Sequence, residues 1–95
     1  MKIVLTNDDG IDEPGIAALA ETCHALGEVT VVAPSGPRSA ISHQVTEAGH
    51  IAVEEVRPGW FSVDGTPADC TRLALRELCR DATWVIAGIN AGANL

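Results

Sequence analysis

Two short apolar runs with a helical pattern between them constrain this fold more than any other feature. Lys2-Ile3-Val4-Leu5-Thr6 is one run, and Glu28 to Ala33, carrying Val29, Val31 and Val32, is the other, ended by Pro34. Between them, Asp12-Glu13-Pro14 places an Asp near an N-cap, acids in the first turn and a proline at its start, which marks a helix beginning. Ile16, Leu19, Ala20, Cys23 and Leu26 then recur at helical spacing, and Gly27 is a natural stop. A strand, a helix and a second strand in that order imply a parallel pair joined by a right-handed crossover. The expected class is therefore α/β.

The first run leads directly into Asn7-Asp8-Asp9-Gly10. Neighbouring side chains on an extended strand point to opposite faces, so two adjacent carboxylates serve one site only where the backbone bends. Asn7 and Gly10 flank them, and these residue types tolerate left-handed backbone best. The pair suggests a divalent-metal site at the C-terminal edge of a parallel sheet.

The remaining chain divides cleanly. Pro34 to Ala40 is a Pro-, Gly- and Ser-rich loop. Gln44-Val45-Thr46 reads as a short strand, and Ile51 to Val56 with Trp60 to Val63 as an antiparallel hairpin turning at Arg57-Pro58-Gly59. Thr66 is a good N-cap for a second helix, with Pro67 at its first position and Asp69 three residues after the cap. Cys70, Leu73, Ala74 and Leu78 form its apolar face, while Arg72, Arg76 and Arg80 line another and read as a solvated stripe. Trp84-Val85-Ile86-Ala87 reads as a third buried strand, followed by the Gly- and Asn-rich segment 88–95. Residues 1–95 are expected to form one domain.

Three parallel strands would thus leave the sheet into three polar loops, 7–10, 35–42 and 88–94. Hard cations such as Mg²⁺ or Mn²⁺ take carboxylate, hydroxyl, amide carbonyl and water oxygens. Asp8 and Asp9 supply charge, with Ser39 and Asn90 as neutral ligands, and the glycines let backbone N–H groups approach an anion. Such a site suits phosphoryl hydrolysis, in which the ion polarises phosphate, activates water and stabilises developing charge. Each residue also has a simpler reading. Asp-Asp-Gly serves turns and caps, Ser39 is a loop serine, and Asn90 and Asn94 beside glycines are turn residues. Convergence of three loops at one edge favours the site. His24, His43 and His50 show no ligand spacing.

Composition narrows the partners. Thirteen acids against six bases give a formal net charge of −7, which argues against nucleic-acid binding. Three cysteines without a Cys-x-x-Cys pair read as small buried hydrophobes in a reducing cytosol. No basic leader segment or membrane-length apolar stretch is expected, so no membrane partner is anticipated.

Lys2 to Gly10 followed by Pro14-Gly15-Ile16, then Val31-Val32-Ala33-Pro34 to Arg38-Ser39, Gly65 to Cys70, and Gly88 to Leu95 form four blocks in order. Together they resemble the survival protein SurE family of 5′/3′-nucleotidases. The resemblance implies an α/β sandwich whose N-terminal part is a Rossmann-like parallel sheet with flanking helices and a small β-hairpin. It implies a metal-dependent phosphatase, cytoplasmic and homo-oligomeric, acting on nucleoside monophosphates with one divalent cation. The family's metal ligands carry over onto Asp8, Asp9, Ser39 and Asn90, with Asp8 and Asp9 also catalytic and Asn94 beside the phosphate. Family chains usually have Gly where Ala40 stands, and run to more than twice this length, so the chain corresponds to their N-terminal portion.

Two rivals remain. A receiver-like signalling domain also places paired acids after its first strand, but requires a lysine near its end, and the only lysine here is Lys2. A catalytically silent metal- or nucleotide-binding module would bind both without turnover. A dinucleotide-binding domain lacks its Gly-x-Gly-x-x-Gly here.

Overall fold

The computed structural model describes residues 1–36, 46–48 and 51–88. Elements follow in the order β1 (Lys2–Thr6), α1 (Pro14–Cys23), β2 (Glu28–Pro34), β3 (Thr46–Ala48), β4 (Ile51–Arg57), β5 (Trp60–Val63), α2 (Pro67–Leu73) and β6 (Trp84–Ala87). They build one six-stranded sheet in the order β3-β4-β5-β2-β1-β6. The neighbours β5, β2, β1 and β6 run parallel, while β3 and β4 are antiparallel additions. The expected parallel pair and hairpin are both present. The hairpin does not stand apart, because β5 pairs in parallel with β2.

Strand β1 lies inside the sheet between β2 and β6, and its run of branched aliphatics is buried from both faces. Ile3 and Leu5 pack under α1 with Ile16, Ala20, Cys23 and Val31. Val4 faces the other way, toward Val32, Val63, Cys70 and Leu73. That alternation is the two-residue period of a strand covered on both sides. Ile3, Val4 and Leu5 are each at most 1% exposed, and full burial of such a side chain contributes about 1.5–3 kcal/mol.

The helix ends differ in quality. Thr66 caps α2 in a reciprocal box: its hydroxyl accepts from the Asp69 N–H at 3.1 Å, and the Asp69 carboxylate accepts from the Thr66 N–H at 2.9 Å. That second bond holds the Asp69 carboxyl below its ordinary pKa. Helix α1 has no such device. Its N-cap is Glu13 without a side-chain cap bond, its first turn carries no acid, and only Pro14 plays the expected part. Leu26 falls outside the helix, which ends at Cys23, and is 60% exposed rather than on the apolar face. Gly27 has a steric role besides: a Cβ there would lie 2.4 Å from the Met1 carbonyl oxygen.

Three further expectations change. The short strand begins at Thr46, and Gln44 and Val45 lie outside the described residues. Arg72, Arg76 and Arg80 are all exposed, as expected of a solvated stripe, but their even spacing is lost, because Ala74–Leu78 continues α2 as a π-helical turn closed by Cys79 N–H to the Ala74 carbonyl. Arg72 pairs with Asp69 within the helix. Strand β6 is not buried: it is the sheet edge, with Trp84 57% and Val85 41% exposed. Its sequence shows apolar character but not which face has cover. The turn at Pro58-Gly59 has Gly59 at φ +79°, as expected for glycine at that turn position.

Candidate metal and phosphate site

The chain leaves β1 toward α1 and β2 on one side, while β6 arrives on the other. Strand order therefore reverses at β1, and open α/β sheets bind ligands in the crevice beyond the strand ends at such a point. The Asp pair occupies this position.

Asn7 shapes the turn that presents it. Its side chain is buried, donates to the Gly10 carbonyl at 2.8 Å, and accepts from the Gly10 N–H at 3.1 Å. An asparagine satisfying both backbone groups three residues on closes a tight loop, an Asx-type arrangement. Residues 8 and 9 form the bend inside that clamp, and both are exposed. Sequence reasoning valued Asn7 for its backbone tolerance, whereas its contribution here is this double hydrogen bond. The Asn-x-x-Gly spacing carried the signal. Gly10 adopts φ +125°, which favours glycine.

Neighbouring loops are rooted against this turn. The Ile11 N–H donates to the Pro34 carbonyl at 2.8 Å. Gly36, at φ +82°, lies against Gly10 and the Asp9 carbonyl. On the opposite flank, the Gly88 N–H donates to the Thr6 carbonyl at 3.0 Å. Thus the roots of the three expected loops stand side by side. Ser39, Asn90 and Asn94 themselves lie outside the described residues.

A fourth loop was missed. Because β5 runs parallel to β2, Asp64 and the Thr66 cap leave the sheet at this same edge. The Ser62 hydroxyl donates to the Ser35 hydroxyl at 2.9 Å, and the Ser35 N–H to the Val63 carbonyl at 2.8 Å, tying this strand end to the root of the Ser39 loop. A hairpin pattern does not reveal which of its strands docks on the main sheet, so no signal pointed to Asp64.

Below the bend, the Thr6 hydroxyl is the buried side-chain oxygen left without a partner among the described residues. It faces the Cys70 thiol, whose sulfur offers it only a weak hydrogen-bonding partner. Burial pushes Cys70 up to about 12, so it stays a neutral thiol. Cys23, Cys70 and Cys79 are all buried and unbridged, as expected for small hydrophobes. Lys2 lies at the opposite end of β1, held by Asp81 at 2.8 Å, away from the position a receiver domain's lysine must take.

Oxygen donors dominate this edge. Among the described residues no three His, Cys, Asp or Glu side chains cluster as a metal cage. The carboxylates of Asp8 and Asp9 offer oxygen donors to a cation at this bend. That is the donor chemistry of a hard divalent ion.

The family model for the survival protein SurE matches residues 3–95. The chain belongs to the SurE family. Among SurE relatives, a 5′-nucleotidase SurE from Syntrophotalea carbinolica is 53% identical across the whole chain, which spans 38% of that protein. The 5′-nucleotidase SurE of Geobacter sulfurreducens is 48% identical, again across the whole chain and 37% of its own length. The crystal structure of SurE from Aquifex aeolicus superposes with a TM-score of 0.82 at 39% identity, covering all of this chain and 40% of that one. The α/β architecture is thus that of SurE, and the chain spans about two fifths of its relatives' length.

Proposed function

We propose that this chain carries the metal- and phosphate-binding edge of a divalent-metal-dependent nucleotidase, which releases phosphate from nucleoside 5′- or 3′-monophosphates. The observation behind this reading is the Asp8–Asp9 bend, clamped by Asn7 at the strand-order reversal and flanked by the roots of the Ser39 and Asn90 loops. The names of the relatives supply the nucleotide.

The carboxylates of Asp8 and Asp9, the Ser39 hydroxyl and the Asn90 amide oxygen would hold one Mg²⁺ or Mn²⁺. When bound, the ion supplies charge neutralisation at phosphate and acidifies water. Asn94 donates to a phosphate oxygen, and backbone N–H groups of the glycine-rich loop add further donors. The Asp9 carboxylate orients the attacking water and accepts its proton. Asn7 acts through the backbone, holding both acids on one bend. A homo-oligomer in the cytoplasm completes the proposal, and three unbridged thiols are compatible with a reducing compartment.

The test is phosphate release from a nucleoside monophosphate by the naturally made protein, with and without chelator. Release should need added Mg²⁺ or Mn²⁺ and should vanish in Asp8→Asn. Activity that survives both changes would overturn the mechanism. Binding of metal and nucleotide by calorimetry, without turnover, would instead identify a silent binding module.

A further inference from the structure

A cleft of about 310 Å³ opens beside the start of α1, between that helix and the β4–β5 turn. Ile11, Glu13 and Pro14 form one wall, and Val56, Arg57 and Trp60 the other. Its size lies at the lower end of the range of small-ligand sites, roughly 300–1,000 Å³. The two walls differ in chemistry. One combines the acids Asp12 and Glu13 with the apolar Ile11, Pro14 and Ala17. On the other, the Arg57 guanidinium lies 3.9 Å from the Trp60 ring centroid, a stacked cation and indole.

We infer that this cleft receives the nucleobase of the substrate, with the Trp60–Arg57 pair as stacking platform and Glu13 as acceptor for an exocyclic amino group. Three features carry the assignment. Flat heteroaromatic rings stack on indole and on guanidinium planes, whichever base they belong to. A carboxylate accepts from the N6 amino group of adenine and the N4 amino group of cytosine, but meets an acceptor oxygen at the corresponding edge of guanine, hypoxanthine or uracil. Placement is the third. Asp12 and Glu13 follow the Asp8–Asp9 bend in the same connection, and the four residues from Asp9 to Glu13 span at most about 14 Å. A ribose bridges a comparable gap between phosphate and base. The Glu13 N–H donates to the Gly10 carbonyl at 3.2 Å, fixing the cleft wall to the metal turn. The assignment rests on the nucleotidase reading for its ligand, and makes Glu13 and Trp60 specificity-determining rather than catalytic.

The experiment uses Trp84→Phe in the naturally made protein with metal omitted, so that Trp60 is the only tryptophan of residues 1–95. A further substitution to Phe removes any tryptophan elsewhere in that protein. Free nucleosides are titrated while its emission is followed. Adenosine and cytidine should quench it and bind about tenfold more tightly than guanosine, inosine or uridine, as expected for a hydrogen bond to a charged group. Adding Glu13→Gln should erase that ranking while leaving the quench. No change in emission with any nucleoside, equal binding of all five, or a ranking that survives Glu13→Gln would overturn the inference. Metal-dependent hydrolysis of a phosphomonoester lacking a base is measured in parallel. Its absence counts against the nucleotidase reading alone, because the fluorescence titration needs neither metal nor turnover.

Discussion

Gly36 packs against Gly10 so closely that a Cβ on Gly10 would stand 3.3 Å from the Gly36 Cα. The loop after β2 and the Asp turn after β1 therefore share one backbone-to-backbone contact. Gly10 also holds φ +125°, which no side chain adopts without strain. Gly10→Ala should lower stability by about 1–3 kcal/mol. It should also weaken metal binding, since relief of the strain separates the two loops. Thermal melts and metal titration check both, and an unchanged melting temperature would refute the steric account.

The unpartnered hydroxyl of Thr6 leads to an opposite expectation. Thr6→Val keeps the shape and removes a buried polar atom with no strong hydrogen-bond partner among the described residues. The variant should be neutral or more stable, by up to about 1 kcal/mol. A marked loss in a denaturant titration would show that the hydroxyl has a partner in solution.

Capping of α2 depends on pH in a defined direction. The folded pKa of Asp69 is depressed, chiefly by the Thr66 N–H. Its contribution is therefore present above the unfolded value, roughly pH 4, and is lost as pH falls through the lower folded value. Wild-type protein should show this acid-side loss, and Asp69→Asn should lack its share of it. Thr66→Ala should cost about 1 kcal/mol at neutral pH. Melting curves of the three proteins between pH 2 and pH 7 decide the matter.

Cys70 should be inert. A thiol raised to about 12 by burial provides almost no thiolate at neutral pH. Native protein treated with iodoacetamide should leave Cys70 unmodified by peptide mass mapping, and labelling should appear only on denaturation. Rapid labelling of the folded protein would contradict its burial.

Much of this molecule was legible in its residues, for identifiable reasons. The central strand announced itself because Ile3, Val4 and Leu5 are apolar on both faces, as a doubly covered strand must be. Thr66-Pro67 with Asp69 fixed one helix start, since both partners of a capping box are written in the sequence. Asp12-Glu13-Pro14 suggested an equally complete cap, and only the proline contributes, because a capping bond needs side-chain geometry that residue type does not determine. Trp84 and Val85 are exposed among residues 1–95, which span about two fifths of the relatives' length; a four-residue apolar run reports a preference for burial, not what covers it. At the candidate site, a bend at Asp8 and Asp9 was expected from their adjacency, and the structure places one there. Asp64 was hidden, since its place follows from the docking of β5 on β2, a pairing between segments remote in the chain. Ser39, Asn90 and Asn94 remain proposals from oxygen chemistry and resemblance.

The π turn at Ala74–Leu78 has a consequence for the register of the side chains that follow it. Such a turn is wound with i→i+5 bonds, wider than an α-helical turn, so the register is displaced from that point onward. Leu75, 40% exposed, sits within it. Removing a single residue there and winding the segment as ordinary α-helix would rotate Leu78 and Cys79 relative to Cys70 and Leu73, with which they share the core beneath Thr6. A straighter helix would therefore be the poorer fit.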